Sequence, residues 1–327
     1  MEFDKDLRSI QEVRNLVARA KEAQRSLAEL DQAAIDRICC AVAQACADKA
    51  EPLAKMAAEE TGFGRWQDKV IKNQLGSAMT WEAIRDMRTI GILREDKQRR
   101  LMEVAVPVGV VAALIPSTNP TSTAMYKTII SIKAGNAIVI SPHPNARNCI
   151  LETCRVMIQA AKAAGCPDGV IQCISEPSMD GTNALLRHRD VGLILATGGE
   201  AMVRAAYSSG NTALGVGPGN GPAYIEKSAD IPRAVRYIFA SKTFDNGTIC
   251  ASEQSIITEA CIHTAVEAEL KARGGYFLSP EEADRLSRLI LRPNGTMNPV
   301  IVGKSALDIA RLAGLSVPGD VKVLIAP

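Results

Sequence analysis

The sequence predicts an α/β protein with a doubly wound, Rossmann-like cofactor domain and a second α/β domain. From residue 101 onward, short apolar runs rich in β-branched residues alternate with amphipathic stretches of helical length. This alternation is typical of a parallel sheet covered by helices on both faces. Aromatic residues make up only 4% of the chain while 47% is hydrophobic, which favours tightly packed α/β layers. The 327 residues are enough for one large or two ordinary domains.

The chain before the first predicted strand is expected to be helical over residues 1–95. Apolar residues recur at helical spacing up to Leu30. Asp31 predicts the N-cap of a second helix, and Pro52 opens a third helix. A fourth helix is predicted over 66–90.

The cofactor domain is predicted over residues 1–225, with its helical part over 1–100. Five apolar runs are its predicted parallel strands, and they lie at 108–116, 137–142, 170–174, 191–197 and 212–218. Four helices are predicted between or beside them, at 121–134, 145–164, 181–189 and 199–209.

The second domain is predicted over residues 226–327 and carries the nucleophile discussed below. It begins with a helix over 231–243 and has three predicted strands, at 255–258, 299–303 and 321–326. Because the chain ends directly after the last of these strands, we expect this domain to be incomplete.

Charge and cysteine usage narrow the class of protein. The formal net charge is +2, from 38 basic and 36 acidic residues, so nucleic acid and anionic membranes are not expected as partners. The first 30 residues are charged throughout, and no apolar run of membrane-spanning length occurs. None of the nine cysteines forms a C-x-x-C pair, so neither a metal site nor a disulfide framework is predicted. A cytoplasmic protein is expected.

Polar or glycine-rich turns follow four of the predicted strands. They are PSTNPT (116–121), SPHPNA (141–146), TGGE (197–200) and GVGPGNGP (215–222). Ligands of open α/β sheets bind beyond the carboxyl ends of the strands, where helix N-termini favour phosphate. Although the G-x-G-x-x-G fingerprint is absent, the four turns together predict a dinucleotide site.

Cys250 differs from the other eight cysteines in its surroundings. The others occur in apolar helical or strand patterns, so we expect them to be buried and inert. Cys250 follows Asp245-Asn246-Gly247 in a turn between a predicted helix and a strand. A cysteine in such a turn is a candidate nucleophile, because exposure permits the reactive thiolate.

The segment FDNGTICASEQS (244–255) resembles the nucleophile segment of CoA-acylating aldehyde dehydrogenases. PVGVVAALIPSTNPTSTA (107–124) resembles the cofactor and oxyanion segment of the same family, and SPHPNA, ATGGEAMV and GVGPGNGPAYIE complete the set in order. The resemblance extends from about residue 8 to residue 327. It implies that Cys250 attacks the aldehyde carbon. Asn119, with the Cys250 backbone N–H, would then stabilise the oxyanion, a donor typically worth roughly 3–4 kcal/mol.

The same resemblance implies a site for NAD, with NADP possible, and CoA as cosubstrate. Three turns would lie against the cofactor, the first beneath it, the second at its phosphates and nicotinamide, and the third at the adenosine ribose. In the same order, these turns contribute Ile115, Pro116 and Ser117, then Thr197, Gly198 and Gly199, and then Ser141 and His143. The fourth turn contributes Gly217. For His143, a cofactor contact and simple turn packing both stay open. Glu253 either tunes the site or is a structural carboxylate.

Val216 indicates whether water or CoA removes the acyl group from Cys250. Hydrolytic relatives carry a glutamate general base 34 residues before the nucleophile, where this chain has Val216. Valine cannot deprotonate water, so transfer to CoA is favoured over hydrolysis. The expected reaction is the reversible oxidation of a short aldehyde, such as acetaldehyde or propanal, to acyl-CoA.

Three alternatives stay open. The substrate could be a charged short aldehyde such as sulfoacetaldehyde or succinic semialdehyde. The scaffold could reduce acyl phosphates, or the chain could be a shortened, non-catalytic form that binds nucleotide. A homo-oligomer is expected where a further C-terminal segment is present.

Overall fold

The computed structural model describes residues 4–327, apart from the side chain of Lys5. The chain divides into two compact units, each formed by two segments. The first contains the chain up to Thr61 together with Lys69–Pro218, and the second contains Gly62–Asp68 and Gly219–Pro327. The predicted division after residue 225 differs from this grouping, because the strand Gly221–Ile225 pairs with Glu253–Thr258 of the second unit.

The first unit is built on a parallel sheet of five strands. They are β3 (Val110–Ile115), β4 (Ala137–Pro142), β5 (Ile171–Cys173), β6 (Val191–Thr197) and β7 (Ala213–Val216), in the spatial order β5-β4-β3-β6-β7. Every residue of β3 and β4 is buried, which explains why both strands read as continuous apolar runs.

Helices cover both faces of this sheet, so the predicted doubly wound fold is confirmed. The helices that begin the chain are α1 (Lys5–Leu27), α2 (Gln32–Asp48), α3 (Ala50–Thr61), α4 (Trp66–Gln74) and α5 (Thr80–Ile84). Those that follow strands are α6 (Pro120–Lys133), α7 (Arg147–Ala163), α8 (Met179–Leu186) and α9 (Glu200–Tyr207). α6 and α7 pack beneath α2, whereas α1 packs on α8 and contacts β3, β4 and β5.

The predicted helix over 66–90 is helical as far as Ile84, with one interruption, and ends before residue 90. α4 ends at Gln74, and a π-helical turn, Leu75–Met79, precedes α5. The main chain passes very close to α6 here, since a Cβ on Gly76 would lie 2.5 Å from the Ser122 carbonyl oxygen. Single π turns of this kind interrupt helices where such local packing demands it.

The predicted helical region up to residue 100 also contains an unpredicted hairpin. β1 (Gly91–Asp96) and β2 (Leu101–Ala105) pair antiparallel. Nearly every residue of both strands is exposed. The hairpin therefore lacks the alternation of buried and exposed residues by which strands are recognised in a sequence.

The second unit contains two pairs of parallel strands. β8 (Gly221–Ile225) pairs with β9 (Glu253–Thr258), and β10 (Gly275–Phe277) pairs with β11 (Val323–Ile325). Its remaining helices are α10 (Ile231–Thr243), α11 (His263–Ala272), α12 (Pro280–Ile290) and α13 (Ala306–Leu312). The predicted strand at 299–303 is wrong: Pro299–Ile301 form a short 3-10 turn, because Asn298 accepts a hydrogen bond from Val300 N and Pro299 favours a helical start.

Candidate active site

The carboxyl edge of the five-stranded sheet is where this fold binds ligands. From β3 the chain moves outward to β4 and β5 and then returns to β6 on the other side of β3. The strand order thus reverses between β3 and β6, and the crevice beyond such a switch point is the usual ligand site. Pro116 follows β3 and Gly198 follows β6, so both of these turns border the switch point.

The structure brings all nine predicted cofactor residues to this edge. Ile115 pairs with Pro142, and His143 N donates to Ile115 O at 3.1 Å. On the other side Thr197 pairs with Val216, and Gly198 N donates to Val216 O at 3.2 Å. The nine residues are Ile115, Pro116, Ser117, Ser141, His143, Thr197, Gly198, Gly199 and Gly217.

Two glycines of this edge border open space. A Cβ at Gly199 or at Gly217 would meet no atom within 4 Å. Gly199 is also the N-cap of α9, and no side chain caps that helix start. A helix N-terminus with bare backbone and free space beside it suits a phosphate group, so the residues present fit a dinucleotide.

The predicted ribose turn divides into one buried and one exposed side chain. Ser141 is 4% exposed, and its hydroxyl lies 3.1 Å from that of Thr182, inside the unit. His143 is exposed, and its Nδ1 accepts a hydrogen bond from Asn145 N at 3.1 Å. The neutral ring therefore carries its proton on Nε2, which is free to donate outward. Although the side chain is exposed, neighbouring atoms remove part of its hydration, and this desolvation lowers the pKa of His143 and favours the neutral form.

Asn119 occupies the N-cap of α6 but does not cap that helix with its side chain. Its Oδ1 instead accepts a hydrogen bond from Lys72 Nζ at 2.7 Å. Lys69, one turn earlier in α4, donates from Nζ to Thr118 O at 3.1 Å. Both lysines are buried, at 2% exposure for Lys69 and 6% for Lys72. Neither lysine is among the predicted site residues, although Lys69, Lys72 and Asn73 at helical spacing were the available signal.

A third buried lysine lies on the sheet itself. Lys127 of α6 donates from Nζ to Leu114 O and to Leu195 O, each at 2.8 Å. These carbonyls belong to β3 and β6, the strands on either side of the switch point. Burial lowers the pKa of Lys127 to about 7. A lysine in the middle of the predicted helix 121–134, between apolar residues that face the sheet, was the available signal.

Cys250 lies in the second unit, exposed, in the turn that leads to β9. The preceding residues Asp245 and Asn246 have φ of 49° and 51°, and Gly247 has 72°. Non-glycine residues rarely adopt this left-handed conformation, and two in succession require outside support.

The carboxylate of Asp245 supplies part of that support. The residue is fully buried, and Oδ1 accepts from Arg65 N at 2.6 Å while Oδ2 accepts from the Thr248 hydroxyl at 2.6 Å. Its own backbone N–H donates to Asp68 Oδ2 at 2.9 Å. The turn before Cys250 is thus tied to the segment Gly62–Asp68 of the same unit.

The glycine-rich segment before β8 runs beside the Cys250 turn. A Cβ at Gly219 would lie 1.8 Å from the Cys250 carbonyl oxygen, so only glycine fits. Three residues after the cysteine, Glu253 begins β9. Its Oε2 is buried and, within residues 4–327, has no hydrogen-bond partner.

Not all of the other cysteines are buried as expected. Cys40 and Cys261 are exposed, and Cys173 is half-buried. Cys40 follows the buried Cys39 in α2, where successive residues point about 100° apart, and Cys261 lies in a short 3-10 turn. The remaining five are buried, and burial raises the pKa of Cys46 and of Cys166 to about 12.

Comparison with known proteins identifies the family. The sequence model of the aldehyde dehydrogenase family matches residues 7–275. The chain is 47% identical over 317 residues to the bifunctional aldehyde-alcohol dehydrogenase AdhE of Escherichia coli K12, covering 97% of this chain and 36% of that protein. It is 39% identical to a succinate-semialdehyde dehydrogenase (acetylating) of Clostridium kluyveri, covering 96% and 69%. A sulfoacetaldehyde dehydrogenase of an Acholeplasma species is 37% identical, with 95% and 65% covered.

Solved structures share the fold. A probable aldehyde dehydrogenase of Listeria monocytogenes has a TM-score of 0.97 and 62% identity, covering 99% of this chain and 72% of that one. An acetylating aldehyde dehydrogenase of Geobacillus thermoglucosidasius has a TM-score of 0.96 and 50% identity, with the same coverage. A propionaldehyde dehydrogenase of Rhodopseudomonas palustris, solved with CoA and an acylated cysteine, has a TM-score of 0.85 and 31% identity, covering 96% and 72%.

The chain therefore belongs to the aldehyde dehydrogenase family. It spans about a third of the length of the aldehyde-alcohol dehydrogenases that it matches. Within the family it belongs to the CoA-acylating group, as its motifs predicted. Among the helices of residues 4–327, none is long and apolar enough to cross a membrane.

Proposed function

We propose that this chain oxidises a short aldehyde to its acyl-CoA with reduction of NAD(P), through a thioester on Cys250. The observation that carries the proposal is the exposed Cys250 in a turn held by Asp245 and Gly219. Relatives named as acetylating dehydrogenases, and one solved with an acylated cysteine, support the same chemistry.

Each residue has a role in this reaction. The Cys250 thiolate attacks the aldehyde carbon, and the carbonyl oxygen takes the negative charge. The Asn119 side-chain N–H and the Cys250 backbone N–H donate to that oxygen. NAD(P), when bound, would supply the hydride acceptor, so that Cys250 keeps the acyl group as a thioester once the carbon has lost its hydride. The thiolate of CoA then attacks the acyl carbon, and Cys250 leaves as thiolate.

Val216 supports transfer to CoA over hydrolysis. Its side chain is 51% exposed at the end of β7, where a general base would have to be available to water. A valine cannot remove a proton from water, so the thioester persists until a thiol arrives. The thioester bond energy is retained in acyl-CoA, so the reaction is reversible.

The substrate is proposed to be acetaldehyde or propanal with NAD, NADP being possible. Relatives named for succinate semialdehyde and for sulfoacetaldehyde keep a charged aldehyde as the alternative. Initial rates with the four aldehydes at equal concentration separate these possibilities. A charged aldehyde whose kcat/KM is at least tenfold higher than that of acetaldehyde and propanal would be the substrate in their place.

The first experiment measures NADH from acetaldehyde and NAD, with and without CoA. We expect NADH in the presence of CoA that is lost in Cys250→Ala and retained in the control Cys261→Ala, since both cysteines are exposed. Activity that needs phosphate instead of CoA would indicate the acyl-phosphate reductase. A chain that binds NAD but forms no NADH would support the non-catalytic form.

We also propose that the protein forms a homo-oligomer where a further C-terminal segment is present, and that the hairpin β1–β2 takes part in the subunit contact. Its exposed apolar residues are Ile92, Leu93, Leu101, Met102 and Val104. Apolar side chains concentrated on an isolated hairpin are unusual for a surface that stays in water. Light scattering after gel filtration tests this, and a Met102→Asp/Val104→Asp variant should have the mass of a monomer. A monomeric wild-type protein that carries the C-terminal segment, at micromolar concentration, would contradict the proposal. A cytoplasmic location stays a prediction.

A further inference from the structure

One face of α4 in the first unit is both polar and buried. Lys69, Lys72 and Asn73 are 2%, 6% and 0% exposed. They lie three and four residues apart and so share one side of the helix. Buried helix faces are normally apolar, and burying lysine is costly unless its ammonium group finds partners. This face therefore has a role other than filling the core.

All three side chains contact residues 118–121, where the turn after β3 enters α6. Lys69 Nζ donates to Thr118 O at 3.1 Å, and Lys72 Nζ donates to Asn119 Oδ1 at 2.7 Å. Asn73 Oδ1 accepts from the Thr121 hydroxyl at 2.6 Å. The polar face thus holds the four residues 118–121, which contain the proposed oxyanion donor.

The contact with Lys72 defines which way the Asn119 amide points. An ammonium group can only donate hydrogen bonds, so the atom that faces Lys72 must be the amide oxygen. The amide nitrogen then lies on the opposite side of the group. Within residues 4–327, this nitrogen donates a long hydrogen bond of 3.3 Å to the Thr118 hydroxyl.

Asn119 also gives up its usual local function. An asparagine at an N-cap normally accepts a hydrogen bond from the second or third N–H of its helix. Here the amide oxygen accepts from Lys72 instead, and no side-chain cap forms on α6. The bond to a cation is the stronger of the two and also polarises the amide, which makes its N–H groups better donors.

We propose that Lys72 is a positioning residue for the oxyanion donor. By binding Oδ1, it turns the N–H groups of Asn119 away from α4, in the orientation required to donate to the developing oxyanion. This inference rests on the proposed function, because an oxyanion forms only if Cys250 attacks a carbonyl. Lys72 itself does not touch the substrate.

A double-mutant cycle on the 327-residue chain tests the inference. Lys72→Met should lower kcat by about 10–100-fold with KM for the aldehyde nearly unchanged, since removing a whole oxyanion donor costs about 10²–10³-fold. In an Asn119→Ala background the same change should alter kcat by less than about threefold, since the group it positions is gone. Equal fold losses in both backgrounds, or a rise in KM alone, would overturn the inference.

Lys69→Met is the matched control. The change removes a buried cation from the same helix face but keeps the bond between Lys72 and the Asn119 amide. Its fold loss in kcat should therefore be the same in the wild type and in the Asn119→Ala background. Lys72→Gln keeps a neutral N–H donor and should lose less kcat than Lys72→Met. It also serves if the methionine variant does not fold. A glutamine variant as slow as the methionine variant would count against positioning by a hydrogen bond.

A second readout is independent of catalysis. The side-chain amide signal of Asn119 can be assigned in a nitrogen–proton spectrum by its absence from Asn119→Ala. It should shift in Lys72→Met and stay in place in Lys69→Met. An unmoved signal would overturn the inference. The Cys250→Ala assay tests the proposed function separately. An inactive wild-type chain with a shifted signal would contradict the function and would support only the contact by which Lys72 orients the Asn119 amide.

Discussion

Gly219 and Cys250 approach so closely that residue 219 has no room for a side chain. A Cβ at this position would lie 1.8 Å from the Cys250 carbonyl oxygen, a distance that no real contact permits. The chain around Gly219 therefore lies against the turn that carries Cys250, although the two residues are 31 positions apart along the chain. Its main chain limits where the turn can lie.

Gly219→Ala should consequently displace the Cys250 turn and lower kcat by at least about tenfold, because an error of about 1 Å in a reacting group costs up to about 100-fold. Gly319→Ala is the control, since a Cβ at Gly319 in the same unit meets no atom within 4 Å. Steady-state NADH formation measures both. Wild-type kinetics in Gly219→Ala would mean that the turn relaxes without moving the sulfur.

Asp245→Ala should destabilise the second unit by at least about 2 kcal/mol. The change leaves the Arg65 N–H without its carboxylate acceptor, and an unsatisfied buried donor costs about 1–3 kcal/mol. It also removes the carboxylate bond of the Thr248 hydroxyl, which keeps its bond to the Asp245 carbonyl oxygen. Asp245→Asn retains an acceptor and tolerates the left-handed φ of 49°, so it should lose less. Urea unfolding gives both values. Equal losses in the two variants would show that neither a retained acceptor nor the left-handed φ decides the effect, and would assign it to the lost charge of the carboxylate.

Lys127 should make stability increase with pH just above neutrality. Its pKa falls from 10.5 to about 7 on folding, so between these values the unfolded chain binds more protons than the folded one. The free energy of unfolding then rises with pH, by at most about 1.4 kcal/mol per pH unit. Urea unfolding from pH 7 to 8.5 should show this slope in the wild type and not in Lys127→Met. Parallel curves would contradict the lowered pKa.

The cysteines should fall into separate classes of reactivity. Cys40, Cys250 and Cys261 are exposed and should react rapidly with a disulfide reagent in the native chain. The five buried cysteines should react only as the chain unfolds, and Cys173 at an intermediate rate. Cys250→Ala should remove one of the three rapid equivalents. More than four rapid equivalents in the native chain would show that the core opens easily.

The fold could be predicted to the extent that a pattern repeats locally. β3 and β4 are buried on both faces and read as unbroken apolar runs, so their positions were predicted within two residues. The hairpin β1–β2 could not be predicted in this way, because exposed strands have no pattern of burial. The 3-10 turn at Pro299–Ile301 was mistaken for a strand because its apolar residues resemble one.

The residues of the candidate site divide in the same manner. Cys250 and Asn119 lie in contiguous motifs, and a motif can be read without knowing the fold. Lys69, Lys72 and Asp245 gain their significance from partners 49, 47 and 180 residues away, respectively. Such pairings are absent from any local pattern.

The sequence by itself determined the family, the order of strands and helices from β3 to β7 and the identity of the candidate nucleophile, because these depend on short stretches of chain. The tertiary structure alone decided that α4 presents buried lysines to the turn of Asn119, that Gly219 must lack a side chain, and that Asp245 holds a left-handed turn. Each of these depends on distant segments meeting within a few ångströms, and only the folded chain brings them together.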